Sequence, residues 1–175
     1  KTVRFWAEKE LHNLQRIFRA QIACPQPIAL IRNVLIMSFI GEDDGDDLVQ
    51  KIPAPCIRDV QEQSEFEEIF TQTVKIMTNL YQKCKLVHAD LTEYNLLWLN
   101  SKVYVIDVGQ SVETTHPDSV DLLMRDCKNI VTFFSSRIID HELLSAEQLF
   151  KSITEMSFND ASLLIAQLNW KDTLR

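Results

Sequence analysis

The stretch LLWLNSKVYVI, residues 96–106, constrains this chain more than any other. It reads as two β runs separated by Asn100, Ser101 and Lys102, all turn formers. With those three residues as the loop, Leu99 faces Val103. Each step outward adds one pair, so that Asn95 faces Asp107. Directly opposed residues on antiparallel strands hold their Cβ atoms about 4.5–5.5 Å apart. A two-residue loop shifts the pairing by only one. The reversal therefore brings an amide oxygen and a carboxylate to the same end of one hairpin. Two hard oxygen ligands so placed suit Mg²⁺, which takes a few protein oxygens and fills its remaining positions with phosphate and water. Asp90 precedes Asn95 by five residues, in a short loop. A carboxylate beside a metal, without ligating it, can orient a hydroxyl or water and accept its proton. His88 reads as a structural loop residue, a partner for nearby backbone rather than the base.

Around this stretch the chain reads as helix, two strands, long helix, hairpin and three helices. Residues 3–22 carry Val3, Trp6, Leu11, Leu14, Ile17 and Phe18 at roughly helical spacing, and the following CPQP stops that helix. IALIR and VLIMSFI are β runs with Arg32 and Asn33 as their turn. GEDDGDDLVQKIPAP reads as a polar surface connection. Ser64 and Glu67 form an S-x-x-E capping box. It opens a helix carrying Phe66, Ile69, Phe70, Val74, Met77, Leu80 and Tyr81, which runs to about Cys84. Pro117 suits the first turn of the next helix, whose apolar face is Val120, Leu123, Met124, Cys127, Ile130, Val131 and Phe134. Ser145 and Gln148 form a second capping box, for a helix to about Met156. A last helix covers roughly Asn159 to Asn169.

Composition excludes several classes. With 175 residues the chain is one domain or one lobe of a larger one. Its three glycines rule out a Gly-rich phosphate loop within it. A net charge of −7 argues against a general nucleic-acid binder, so no direct DNA binding is expected. The first 32 residues are locally basic, which reads first as a solvated helix face and second as a basic patch. Cys24, Cys56, Cys84 and Cys127 contain no C-x-x-C pair and fit reduced thiols of an intracellular protein. No apolar run approaches the ~20 residues of a membrane span, so no membrane partner is expected. The chain opens in a helical pattern without a Met, and we read it as an excised or truncated piece.

H-x-D, then Asn five residues after that Asp, then a hairpin, then I-D, is the order of the protein-kinase catalytic loop and metal-binding aspartate. LVHADLTEYNLLW with VYVIDVGQSVE, HP at 116–117, RDCKNI at 125–130, WAEKELHNL and VLIMSFIGEDD together resemble the RIO family of atypical serine/threonine protein kinases. The form I-D-V-x-Q is similar to the first and third branches, with the first preferred; the second typically has I-D-F-P-Q. The resemblance implies an α+β, protein-kinase-like fold. Residues 1–40 would be a remnant of the N-lobe (helix, two strands, hinge), and 41–175 the helical C-lobe with catalytic loop and metal-site hairpin.

The resemblance also implies roles. Asp90 would be the catalytic aspartate, with Asn95 and Asp107 holding Mg²⁺ and Asp107 able to accept phosphate as an aspartyl-phosphate. Ser38 and Ile40 would offer backbone carbonyl and N–H to the adenine of ATP, with Met37 as gatekeeper. Glu10 would pair with the nucleotide-binding lysine, Glu8 being the alternative one helix face away. The implied setting is maturation of the small ribosomal subunit. The partners would be a pre-40S particle or its assembly factors, and the location cytoplasmic with passage through the nucleus.

Departures from the pattern matter. The phosphate-covering loop and β-strand lysine are absent, so this chain alone is expected to be inactive. Gly109 stands where Ser is usual, Asp118 where His is common, and Thr92 where the family typically has Ser. Between Asp107 and Pro117 lie nine residues, too few for an A-P-E segment or a long activation loop. Two other readings are a small-molecule phosphotransferase of the aminoglycoside or choline kinase type, and a non-catalytic kinase-like scaffold.

Overall fold

The computed structural model describes residues 2–43, 51–139 and 143–154. Helix α1 spans Thr2–Arg19. It ends before the prolines, through its own backbone. Gln21 takes a left-handed φ of 59°, the Ile22 N–H reaches the Ile17 carbonyl (3.3 Å) and the Gln21 N–H reaches that of Phe18 (3.0 Å). This paired closure is a Schellman motif, and the buried Ile17 and Ile22 provide the apolar contact that usually accompanies it. The expected apolar stripe is therefore buried only in part. Leu14 and Ile17 enter the core, whereas Val3, Phe5, Trp6 and Phe18 stay exposed.

Strands β1 (Pro27–Ile31) and β2 (Val34–Met37) pair antiparallel across Arg32 and Asn33, with a bulge between Pro27 and Ala29. The polar stretch that follows is more than a surface connection. Its ends form β3 (Gly41–Asp43) and β4 (Lys51–Pro53), an antiparallel pair. Gly41 allows the approach, since a Cβ there would run into the Ile52 carbonyl and the Phe39 ring.

Helix α2 spans Phe66–Gln82. Ser64 and Glu67 do not form the expected capping box. Gln63–Glu65 is already a 3₁₀ turn running into α2, which places Ser64 inside helical backbone and makes Glu65 the N-cap, without a side-chain bond. The helix stops short of Cys84, and Lys85 just beyond has φ 52°. Strand β5 (Leu86–Val87) pairs with β8 (Val112–Glu113), and β6 (Leu96–Leu99) with β7 (Lys102–Val105). Helix α3 is Ser119–Ser135 and α4 is Ala146–Thr154. Pro117 precedes the N-cap Asp118 rather than entering the first turn. The Ser145–Gln148 box is formed in both directions. The Gln148 N–H reaches Ser145 Oγ (3.2 Å) and the Ser145 N–H reaches Gln148 Oε1 (2.8 Å). The helix expected at Asn159–Asn169 lies outside the described residues.

One apolar core joins α2, α3, α4 and the β6–β7 hairpin: Phe66, Ile69, Leu96, Val105, Phe134 and Phe150 are all essentially inaccessible. Among the described residues no helix is long and apolar enough to cross a membrane. The buried hairpin and the helices under it fix the position of everything that follows.

Candidate active site

The hairpin turns on two residues, not three. Asn100 and Ser101 both have positive φ (49° and 58°) and Leu99 pairs with Lys102, the pattern of a tight primed turn. The preferred register thus slips by one. Asn95 lies opposite Ile106, whose N–H bonds the Asn95 carbonyl at 3.0 Å, and Asp107 is the next residue along. At Asp107 the chain leaves the ladder with φ 56°. Its carboxylate is exposed, as is that of Asp90. Asn95 is half-buried, and its Nδ2 donates to the Asp90 carbonyl at 2.9 Å. That bond uses the amide nitrogen and leaves Oδ1 as the free acceptor.

His88 sits beneath this group, 3% exposed. Its Nε2 is 3.0 Å from the Ile106 carbonyl. A carbonyl only accepts, so Nε2 carries the proton and Nδ1 is the bare nitrogen. Nδ1 has no partner among the described residues. Burial lowers the His88 pKa, opposed by the Ile106 carbonyl and by the negative fields of Asp107 and Asp90. One imidazole thus feels both carboxylates. It ties the Asp90 loop to the strand that leads into Asp107.

The Asp90 loop is braced from α3. Asp126, 1% exposed, accepts the Ala89 N–H (2.8 Å) and the Leu91 N–H (2.9 Å) on its two oxygens. Arg125 donates to the Ala89 carbonyl, and Asn129 Nδ2 to that of Leu91 (3.2 Å). Ala89, between them, holds φ 69°, a strained conformation for a residue with a Cβ. Burial pushes the Asp126 carboxyl up to about 6, against the lowering by its two backbone donors and by Arg125. Sequence reasoning noted RDCKNI without assigning these residues. Polar side chains at 125, 126 and 129 on a helix otherwise apolar toward the core were the available signal.

The Asp107 segment is held from α1. Asn13 Nδ2 donates to the Val108 carbonyl (2.9 Å), and Arg16 pairs with Glu113 (2.6 Å). Glu10 lies against Gly109, where an added Cβ would sit 3.6–3.7 Å from its side chain. The Glu10 pKa is raised, first by burial and then by the negative field of Asp107. Glu8 is on another face, bonded to Arg4 at 2.8 Å. The structure therefore brings Glu10, Asn95, Asp90 and Asp107 into one neighbourhood and leaves Glu8 outside it. Asn13 was not anticipated.

The residues expected to form a hinge, Ser38 and Ile40, have part of their backbone hydrogen bonding used within the chain. The Ser38 N–H is used on the Gln26 carbonyl (2.9 Å), and the Ile40 carbonyl accepts from Ala54 (3.1 Å). The Ser38 carbonyl and the Ile40 N–H keep no intrachain hydrogen bond among the described residues. Met37 is half-buried against the core.

The donor set fits a hard divalent cation. Asn95 Oδ1 and the exposed Asp107 carboxylate could serve as oxygen ligands, and Glu10 is a second carboxylate nearby, its proton affinity raised by burial and then by Asp107. No described cationic side chain is ion-paired to either carboxylate. Such a corner is short of positive charge. No group of three or more His, Cys, Asp or Glu able to hold a metal occurs among the described residues; Mg²⁺ needs fewer protein ligands than that.

The chain is similar to human serine/threonine-protein kinase RIO3 (45% identical over 168 residues, 94% of this chain and 31% of that protein). It is also similar to human RIO1 (41% over 164 residues, 93% and 27%) and Schizosaccharomyces pombe rio1 (44% over 170 residues, 97% and 33%). It thus spans about a third of the length of these relatives. Its fold matches the crystal structure of the Rio2 kinase–ADP/Mg²⁺–phosphoaspartate complex from Chaetomium thermophilum, with a TM-score of 0.65 at 20% identity. That match covers 99% of this chain and 56% of the other. A second Rio2 kinase structure from the same organism gives a TM-score of 0.57. The fold is thus protein-kinase-like, and a RIO domain is matched across residues 1–148, so the chain belongs to the RIO domain family.

Proposed function

We propose that this chain carries the catalytic loop and metal side of a RIO-type atypical serine/threonine protein kinase and ATPase. The observation that carries the reading is the bond from Asn95 Nδ2 to the Asp90 carbonyl. It holds the base and one metal ligand in fixed relation at the end of the hairpin that leads into Asp107. Asn95 Oδ1 and Asp107 would hold Mg²⁺, which would neutralise charge on the nucleotide phosphates. Asp90 orients the attacking hydroxyl or water and takes its proton. The Ser38 carbonyl and the Ile40 N–H are the adenine contacts, Met37 the gatekeeper, and Glu10 the partner of a nucleotide-binding lysine. Asp107 is also the phosphoryl acceptor, in keeping with the phosphoaspartate of the Rio2 complex. The setting is small-subunit maturation in the cytoplasm, with a pre-40S particle as partner.

In the full-length protein, Asp90→Ala and Asp107→Ala should each lower ATP turnover by at least ~10²-fold. Wild-type turnover in either variant rejects the site. Hydroxylamine-labile phosphate should appear during turnover and vanish in Asp107→Ala. Acid-stable phosphoserine without any labile form rejects the aspartyl-phosphate and leaves the metal role. A melting temperature unmoved by ATP with Mg²⁺ would support the scaffold reading, and transfer to choline or an aminoglycoside the small-molecule one.

A further inference from the structure

Beside Asp90 lies an open recess of about 440 Å³, lined by Lys9, Asp90, Gln110, Val112, Leu122 and Arg125. That is within the range of ligand-binding clefts and room for a polypeptide side chain or two. Its charge is unlike the rest of the chain, which carries a net −7. Two cations line it against one carboxylate. Lys9 is half-buried and makes no ion pair among the described residues. Of the neighbouring acids, Glu8 is bonded to Arg4 and Glu10 lies against Gly109. Arg125 uses one nitrogen on the Ala89 carbonyl. A guanidinium has five N–H donors in a fork suited to carboxylate and phosphate, so one bond does not exhaust it. Gln110 adds an amide, and Val112 and Leu122 an apolar wall.

We infer that this recess receives an anionic side chain of the acceptor polypeptide, a carboxylate or a phosphorylated residue flanking the hydroxyl presented to Asp90, and that Lys9 with Arg125 selects for it. The inference rests on the proposed role of Asp90 and adds a substrate class to it. Lys9 is a specificity residue here: it touches the flanking group, not the reacting atoms. Its neighbours on α1, Glu10 and Asn13, make the contacts to the Asp107 segment with their own side chains, and Lys9 makes none of them.

The test is a set of serine peptides identical except at the flanking position, which carries Glu, phosphoserine, Gln or Lys. They are assayed with full-length wild type, Lys9→Met and Lys9→Glu. Wild type should prefer Glu and phosphoserine over Gln through KM, by about three- to fivefold, the scale of one partly exposed ion pair. Glu against phosphoserine separates the two sources of the anion. Lys9→Met should erase most of the preference and Lys9→Glu should move it toward the Lys peptide, with acceptor-free ATP turnover unchanged in both. Equal kcat/KM for Glu, phosphoserine and Gln peptides in wild type, or an intact acidic preference in Lys9→Glu, overturns the inference. Peptide anisotropy with Asp90→Asn and a non-hydrolysable nucleotide separates this from failure of the kinase reading. The same order of binding in the absence of turnover upholds the recess, and indifference to the flanking charge overturns it.

Discussion

The two carboxylates of the site are carried by different helices. Asp90 belongs to α3: two hydrogen bonds donated by Arg125 and Asn129 and two accepted by Asp126 clamp the backbone of Ala89 and Leu91 on either side of it. Asp107 belongs to α1, through Asn13 on Val108, Arg16 on Glu113 and Glu10 against Gly109. The first set is anchored on the buried Asp126 of a core helix, with Arg125 exposed and Asn129 half-buried beside it. The second is partly or wholly exposed, on a helix whose Val3, Phe5 and Trp6 face solvent. Asp90 is thus fixed to the body of the protein, whereas Asp107 follows α1. A displacement of α1 would move Asp107 against a stationary Asp90, so α1 is the element whose position sets the site geometry.

The α3 side should break hardest. Asp126→Ala leaves two buried backbone N–H groups without acceptors, at about 1–3 kcal/mol each. The expected loss of ~2–6 kcal/mol is a large part of a typical domain's stability and is read from urea unfolding. Asp126→Asn should fall between, because its amide keeps one acceptor oxygen and turns a donor toward the other N–H. An Asp126→Ala variant as stable as wild type would remove the contrast between the two helices.

The same residue gives the α3 side a pH signature. Its carboxyl is pushed up to about 6 from an ordinary 3.8, mainly by burial. The folded chain therefore keeps this proton at pH values where the unfolded chain has lost it. Between about pH 4 and 6 the folded state binds more protons, so this group's contribution to stability declines as pH rises and is level above 6. Over that window the amide proton shifts of Ala89 and Leu91 should titrate together with a midpoint near 6. The Ile106 amide, bonded to the Asn95 carbonyl, serves as the control. Asp126→Asn should abolish both the titration and its share of the stability slope.

The α1 side should respond in function more than in stability. Asn13→Ala removes one partly buried hydrogen bond to Val108, worth about 0.5–1.5 kcal/mol in unfolding. If α1 sets the position of Asp107, the Mg²⁺ concentration for half-maximal ATP turnover of the full-length protein should rise several-fold. Asp126→Asn should instead lower turnover with little change in that concentration. The same Mg²⁺ dependence in both variants would mean the two helices hold one rigid unit.

How much of this was legible follows from what each signal depends on. The hairpin and the grouping of Asn95 with Asp107 rest on sequence spacing, and spacing survives folding. The register was one residue off because Leu96, Leu97, Trp98 and Leu99 are all apolar, so nothing in them says which face is buried. The structure buries Leu96 and Trp98 opposite Val105 and Val103, a pairing that a three-residue loop would break. The Ser145–Gln148 box formed and the Ser64–Glu67 box did not, although the motifs read alike. A 3₁₀ turn upstream decided the second, and four-residue motifs do not report what precedes them. Asp126 was legible only as a polar residue on an apolar helix face, because its partners, the Ala89 and Leu91 N–H groups, are backbone and have no sequence identity. The exposed end of α1 was misread because periodicity marks an apolar face without saying what covers it.

The smallest expected effect lies at the outer edge of the α1 side, and it sharpens the comparison rather than breaking it. Arg16 and Glu113 approach to 2.6 Å, but their side chains are 39% and 59% exposed. Water and salt screen such a pair, and ordering two long side chains offsets much of the attraction. A double-mutant cycle with Arg16→Ala and Glu113→Ala should give a coupling of about 0.2–1 kcal/mol, shrinking in high salt. Two other features nearby already join α1 to the 108–113 segment, Asn13 on Val108 and Glu10 against Gly109. Loss of the pair should therefore leave the Mg²⁺ dependence of turnover close to wild type. A coupling above about 2 kcal/mol, insensitive to salt, would instead mean that β8 is anchored chiefly by this pair, and that the α1 side is held at its edge rather than at Asn13.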